Sequence, residues 1–267
     1  MPLTEIQTDV AKVLREFRSA EHYIGGGAAL NRDKPRLSDD LDIFGDRDAL
    51  PAIVEQEIEA LEYAGYTVEE NEDVRDNFMV EVVVRKDSKE TNIQWMTDQD
   101  TQWRFFPAQE DDVLGFRLHD IDNAINKVRA ASSRTTAVRD IVDIVSIIDH
   151  IGPLGPLVWA ATAKPHEGRG PLEIIRAIRG ISAGYTTEEY AAVSVAGNRV
   201  EKGEIIDKLN EALDAAADYV EDAPLDYTSQ LFIDESGRPY EATDKNIQSV
   251  QRLQIKNFAA VPQVVAK

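Results

Sequence analysis

A glycine-rich turn that runs into an acidic strand constrains this chain more than any other stretch. Residues 25–44 read GGGAALNRDKPRLSDDLDIF, with Asp40 and Asp42 two positions apart and Leu41, Ile43 and Phe44 apolar around them. Alternate strand residues point the same way, so Asp40 and Asp42 share one face and can hold one metal ion between them. The apolar neighbours suit a short buried strand whose acidic face opens onto a cleft. Magnesium takes one or two carboxylates plus phosphate oxygens, and a glycine turn can offer backbone N–H groups to those phosphates. The stretch therefore reads as a nucleotide-phosphate site.

These residues resemble the first block of the nucleotidyltransferase superfamily, specifically the AbiEii/AbiGii toxin family, in which a GG-[ST]-A-L turn precedes R-x-S-x-D-x-D. The match consists of Gly26, Gly27, Ala29 and Leu30, then Arg36, Ser38, Asp40 and Asp42. Ala28 stands where the family usually has a hydroxyl residue that touches phosphate, which shifts that contact onto the backbone amides and Ser38. A second segment, NKVRAASSRTTAVRDIVDIV at residues 126–145, is similar to the family's K-x-x-A-(x)-R-(x)-RD-x-x-D block, with one extra residue between Arg134 and Arg139. Lys127, Ala130 and Arg134 share a face if the segment is helical. The resemblance implies that Lys127 reaches a triphosphate and acts in catalysis. Asp143 lies one turn beyond Arg139, where it orients that arginine or joins the polar site; an Arg139–Asp143 ion pair explains the spacing equally well.

By position in the family pattern a third acid should fall at Gln94, and glutamine can coordinate or hydrogen-bond but cannot serve as a base. Glu81, on the preceding strand-like segment, is the other candidate. Either Glu81 supplies the third acid or the protein works with two aspartates.

The resemblance thus implies a magnesium-dependent nucleotidyltransferase that moves a nucleotidyl group from an NTP to an acceptor. Asp40 and Asp42 are the metal ligands, and Gly26, Gly27, Arg36, Ser38, Lys127 and Asp143 bind the nucleotide. Family members act as toxins paired with an antitoxin, and some modify tRNA, so tRNA and a cognate antitoxin are the implied partners. The alternative is a catalytically impaired nucleotide-binding module that acts through a protein partner, as Ala28 and Gln94 together suggest. Which NTP is used is not encoded in these motifs.

Composition bounds the rest. The chain has 267 residues, 43% of them hydrophobic, enough for one large or two small domains with real cores. It contains no cysteine, which excludes disulfides, zinc–thiolate sites and thiol nucleophiles. His22, His119, His150 and His166 show no metal-ligand spacing. The N-terminus lacks a signal-peptide h-region, and no eighteen-residue apolar run occurs, so a cytoplasmic protein away from membranes is expected. With 29 Lys plus Arg against 49 Asp plus Glu, the net charge of −20 repels polyanions at long range. RNA binding would need a confined patch, for which Arg129, Arg134 and Arg139 near the proposed site, with Arg169, Arg176 and Arg179 further on, are the candidates.

The expected fold is α+β: a nucleotidyltransferase-like mixed sheet with helices in a catalytic domain over residues 1–117, then a mainly helical domain over residues 118–267 that completes the nucleotide site. Hydrophobic periodicity predicts helices at residues 4–18 and 49–62, and three strands within 66–96, two of them at 77–85 and 91–96. A linker follows at 106–117. Further helices are predicted at 120–132, 136–150, 154–163, 171–182, 187–195 and 202–220, with a hairpin around Ser236 and Gly237.

Overall fold

Thr4 starts the fold by closing a capping box: its hydroxyl accepts from the Gln7 backbone N–H at 3.3 Å, and the Gln7 side chain accepts from the Thr4 N–H at 2.9 Å. Two first-turn donors are thereby satisfied, and helix α1 (Glu5–Leu14) begins there. The computed structural model describes residues 3–73, 79–97, 103–165, 168–195 and 199–257. The chain divides into two compact units, the first holding residues up to His119 together with Lys256 and Asn257, the second running from Asp120 to Ile255.

The first unit is built on a seven-stranded mixed sheet. Its strands are β1 (Tyr23–Ile24), β2 (Asp40–Phe44), β3 (Thr67–Glu70), β4 (Met79–Lys86), β5 (Lys89–Met96), β7 (Gln109–Asp111) and β8 (Gly115–Arg117), arranged in the order β3-β4-β5-β2-β1-β8-β7. The β2–β5 and β1–β8 pairs are parallel; the others are antiparallel. A short helix α2 (Gly26–Leu30) sits between β1 and β2, and helix α3 (Leu50–Tyr63) follows β2. A separate two-residue strand, β6 (Trp103–Arg104), pairs antiparallel with β11 (Lys256–Asn257).

Alternation along the strands sorts the side chains. Leu41, Ile43, Val80, Val82, Val84, Ile93 and Trp95 enter one core with Ile6, Val10 and Leu14 of α1 and Leu50, Val54 and Leu61 of α3. The opposite alternation carries Asp40, Asp42, Glu81, Asn92 and Gln94, all half-buried or exposed. β-Branched residues dominate β4 because they pack well on a pleated surface covered on one side.

The second unit is mainly helical: α4 (Asp120–Ala131), α5 (Val138–His150), α6 (Leu154–Ala161), α7 (Pro171–Gly184), α8 (Thr187–Ala191) and α9 (Lys202–Asp222). Every residue of α6 is buried, as its uninterrupted apolar sequence LGPLVWAA requires, and α4, α7 and α9 pack against it. A two-stranded sheet of β9 (Gln230–Ile233) and β10 (Gln251–Gln254) completes the unit. No helix among the described residues is long and apolar enough to cross a membrane.

The α+β expectation holds, and the break expected after residue 132 falls between Ala131 and Val138. One expectation is corrected: residues 106–117 are not a linker, since they contribute β7 and β8 to the main sheet. The turn at Ser236–Gly237 closes a short hairpin, in which Ile233 bridges Pro239 and the Asp234 and Tyr240 N–H groups donate to the Arg238 and Phe232 carbonyls, while the other edge of β9 pairs with the distant β10. Short strands of mixed polarity such as QED and GFR carry too little periodicity to be distinguished from loop. Residues 77 and 78 of the predicted second strand lie outside the described residues, as does His166.

A buried polar cluster, unrecognised in the sequence, ties α3 to the sheet and to the segment after α1. Glu57, fully buried on the core side of α3, pairs with Arg18 and accepts from Trp95 Nε1 at 2.8 Å. His22 Nε2 lies 2.9 Å from Arg18 Nη1, and its Nδ1 lies 3.6 Å from Glu57 Oε1. A guanidinium only donates, so Nε2 accepts and the ring is neutral with its proton on Nδ1. Burial, reinforced by the charge of Arg18, pushes the His22 pKa down to about 3. The unfolded chain therefore takes up a proton near pH 6.5 that the folded protein refuses, so this group removes stability as pH falls from 6.5 toward 3. Burial raises the Glu57 pKa and acts in the opposite direction, so a comparison between variants isolates the histidine. His22→Gln should lessen the loss of unfolding free energy between pH 7 and pH 4 by on the order of 2–3 kcal/mol relative to the parent. Denaturant titrations at the two pH values would refute this assignment if the losses were equal.

Candidate active site

The site is assembled where β1 ends and the chain doubles back. Gly25 N–H donates to the Asp42 carbonyl at 2.9 Å, extending the antiparallel β1–β2 pairing into the turn. Gly26 then takes φ +60°, a conformation that glycine adopts without strain, and opens α2. A Cβ placed on Gly26 would fall 1.7 Å from Asp42 Oδ2, so the carboxylate lies directly against the glycine backbone. A Cβ on Gly27 would fall 2.4 Å from Arg36 Nη2 and 3.1 Å from Ser38 Oγ. Gly26, Gly27, Arg36, Ser38 and Asp42, separated by as many as sixteen positions in the chain, thus occupy one place.

Ser38 shapes the approach to β2. Its hydroxyl donates to the Asp40 carbonyl at 2.8 Å, and its own carbonyl accepts from Gln7 Nε2 at 3.0 Å. Arg36 Nη1 donates to the Leu37 carbonyl at 2.7 Å, and both Arg36 and Ser38 are buried. Ala28 is buried in the main apolar core, so the residue that replaces the expected hydroxyl serves packing.

Across the sheet, register sets the neighbours. Asp40 stands opposite Asn92 and Asp42 opposite Gln94 in the parallel β2–β5 pair, and Gln94 stands opposite Glu81 in the antiparallel β4–β5 pair. The side chains of Asp42, Gln94 and Glu81 therefore form a row on one face. Gln94 Nε2 donates to Glu81 Oε2, and Asn71 Nδ2 donates to Glu81 Oε1 at 2.8 Å. Among the described residues, no three or more His, Cys, Asp or Glu side chains gather closely enough to hold a metal ion. Two carboxylates on one strand face, next to an amide, match the hard-oxygen donors that magnesium shares with phosphate, and they are the residues here that fit such an ion.

Lys127 and Asp143 belong to the second unit. Lys127, on α4, is buried with its ammonium 2.6 Å from Asp140 Oδ1 and 3.1 Å from Asp143 Oδ2, both on α5. The sequence motif assigned this lysine to a triphosphate; in the structure it joins two helices through two buried carboxylates. Helix α4 ends before Arg134, which is exposed, so the shared helical face expected for Lys127, Ala130 and Arg134 does not extend that far. Lys164 and Asp122 form a second fully buried pair, at 3.8 Å. Asn71 and Asp140 were not singled out in the sequence. Asp140 stands beside Arg139 in the RD dipeptide and was legible there, whereas nothing around Asn71 marks it.

No protein-family model and no curated protein matches the chain. Among solved structures, MenT4, a nucleotidyltransferase toxin from Mycobacterium tuberculosis H37Rv, is similar with a TM-score of 0.54 and 13% identity, over 83% of each chain. A nucleotidyltransferase candidate from H. pylori is similar with a TM-score of 0.49 and 14% identity, over 79% of this chain and 92% of that one. The likeness to MenT4 is one of fold.

Two predictions separate local from site effects. Gly26→Ala meets both left-handed strain of about 1–2 kcal/mol and the Asp42 carboxylate, whereas Gly237→Ala, at φ +80° with nothing within 4 Å, meets the strain alone. Both should lower the melting temperature, Gly26→Ala by the larger amount because its Cβ must also displace the Asp42 carboxylate; equal losses in the two variants would detach the turn from the carboxylate. Lys127→Met removes the ammonium that stands between buried Asp140 and Asp143 and should cost about 3–5 kcal/mol in denaturant unfolding. A loss under 1 kcal/mol would show that the aspartates do not depend on this lysine.

Proposed function

We propose that the protein is a magnesium-dependent nucleotidyltransferase of the AbiEii-like kind, which moves a nucleotidyl group from an NTP to an acceptor. The observation that carries the reading is the packing of the Asp42 carboxylate onto the Gly26 backbone, which brings the glycine turn and the acidic pair of the motif to one point. The fold shared with a nucleotidyltransferase toxin supports it. In this reading Asp40 and Asp42 hold the ion, and Gly26, Gly27, Arg36 and Ser38 line the phosphate side. Magnesium bound there supplies neutralisation of charge on the phosphoryl oxygens. The acceptor hydroxyl forms a bond to the α-phosphorus and pyrophosphate leaves, with the hydroxyl proton passing to a carboxylate of the pair or to solvent. Gln94, being an amide, takes no proton.

The toxin role, with a cognate antitoxin and tRNA as acceptor, is the finer form of the proposal. Exposed Arg134 and Arg176 offer phosphate contacts, although Arg179 is already paired with Asp214 at 2.6 Å and the net charge is −20. The second reading, a nucleotide-binding module without chemistry, is favoured by Gln94 in the position expected for the third acid.

Incubation with each α-labelled NTP and a cell extract distinguishes them. Asp40→Asn and Asp42→Asn should each reduce label transfer by at least about a thousandfold, roughly 4 kcal/mol of transition-state stabilisation, with circular dichroism unchanged. Label transfer that survives both single substitutions would refute the enzyme reading at this site.

A further inference from the structure

Gln94 stands between two carboxylates in register, Asp42 on one side and Glu81 on the other. Its carboxamide has one donor end and one acceptor end, and the choice between two orientations is decided by the neighbours. Glu81, when ionised, only accepts. Its two oxygens take N–H groups from two amides, Oε2 from Gln94 and Oε1 from Asn71. The nitrogen of Gln94 is thus committed to the β4 side. The planar amide then leaves the Gln94 carbonyl oxygen as the end of the carboxamide not bound to Glu81, on a residue whose other strand neighbour is Asp42.

Glu81 is not itself a neighbour of Asp42 in the sheet. Two strand spacings of about 4.8 Å each separate its backbone from that of Asp42. It belongs to no group of three acidic or imidazole side chains able to hold a metal among the described residues.

We infer that Glu81 is a positioning residue: with Asn71 it fixes the Gln94 carboxamide so that its carbonyl oxygen becomes a neutral third ligand to the divalent cation held by Asp40 and Asp42. The inference rests on the metal reading proposed above. It replaces a third carboxylate with a dipole, and assigns to the remaining acid of the row the task of orienting that dipole. The ion is balanced by two negative charges instead of three, so the protein alone binds it loosely and phosphate oxygens complete the shell.

The test is Mn2+ binding to the intact protein, without nucleotide, by electron paramagnetic resonance. Residues that orient a metal ligand change metal affinity by about 10- to 100-fold when removed. Glu81→Ala and the isosteric Glu81→Gln should therefore each weaken Mn2+ binding about tenfold, as should Gln94→Leu. Because Glu81 acts through Gln94, the Glu81→Ala/Gln94→Leu double variant should bind no more weakly than Gln94→Leu alone. A further loss in the double variant, or unchanged binding in both Glu81 variants, overturns the positioning role. Asp42→Asn serves to distinguish the two levels: if it abolishes Mn2+ binding while the Glu81 variants do not alter it, only this inference fails; if it leaves binding intact, the metal reading fails as well. The isosteric variant keeps the packing, so a folding defect in Glu81→Ala does not decide the outcome.

Discussion

Strand β2 has to satisfy opposite demands on its two faces, and the first unit is organised by that requirement. Leu41 and Ile43 are fully buried under α1 and α3, while Asp40 and Asp42, one residue out of phase, stay half-buried on the other side. A register slip of one residue would drive two carboxylates into the apolar core, at a cost far above the stability of a domain of this size. The alternation therefore locks the register, and the register in turn aligns Asp42, Gln94 and Glu81 across three strands. Core packing and site geometry are fixed by one pattern. The site's precision needs no separate device beyond the close approach of the glycine turn.

The buried charges follow a different logic. Glu57 with Arg18, Lys127 with Asp140 and Asp143, and Lys164 with Asp122 are all withdrawn from water. Desolvation of such groups is offset only when their partners are in place, so each cluster contributes little net stability but makes alternative packings unfavourable. Lys127 illustrates the consequence for reading motifs. A lysine and an RD-x-x-D sequence that look like phosphate chemistry also describe two helices tied together by one cation and two anions. Their spacing is the same in either role.

What the sequence made legible was set by how local the signal was. The helices of the second unit follow the 3.6-residue periodicity of sequences such as IVDIVSIID, and the strands β4 and β5 follow two-residue alternation. Asp40 and Asp42 were readable because a strand converts spacing directly into a shared face. By contrast β7 and β8 are three residues each, too short for any period to register, and their place at the sheet edge depends on the distant β1. The contact of Gly26 with Asp42 spans sixteen positions and depends on β1–β2 pairing. Glu57 could not be read at all: a glutamate among the polar residues of EQEIEALE looks like part of a solvated face until Arg18, His22 and Trp95 are seen around it.

The question of the third acid shows how structure changes the terms of a sequence comparison. Lined up against a motif, Gln94 is a missing carboxylate and Glu81 a possible substitute displaced to another strand. In the sheet the two are hydrogen-bonded neighbours, and the negative charge has moved one strand away from the acidic pair, with an amide between. Moving it outward lowers the repulsion among the acids when no cation is present, which eases folding of an already acidic chain. The same move weakens the attraction for a cation when no nucleotide is present. If the acidic pair holds magnesium as proposed, such a site would gain most of its metal affinity from the phosphates that arrive with the ion, so that metal and nucleotide would bind as a single event.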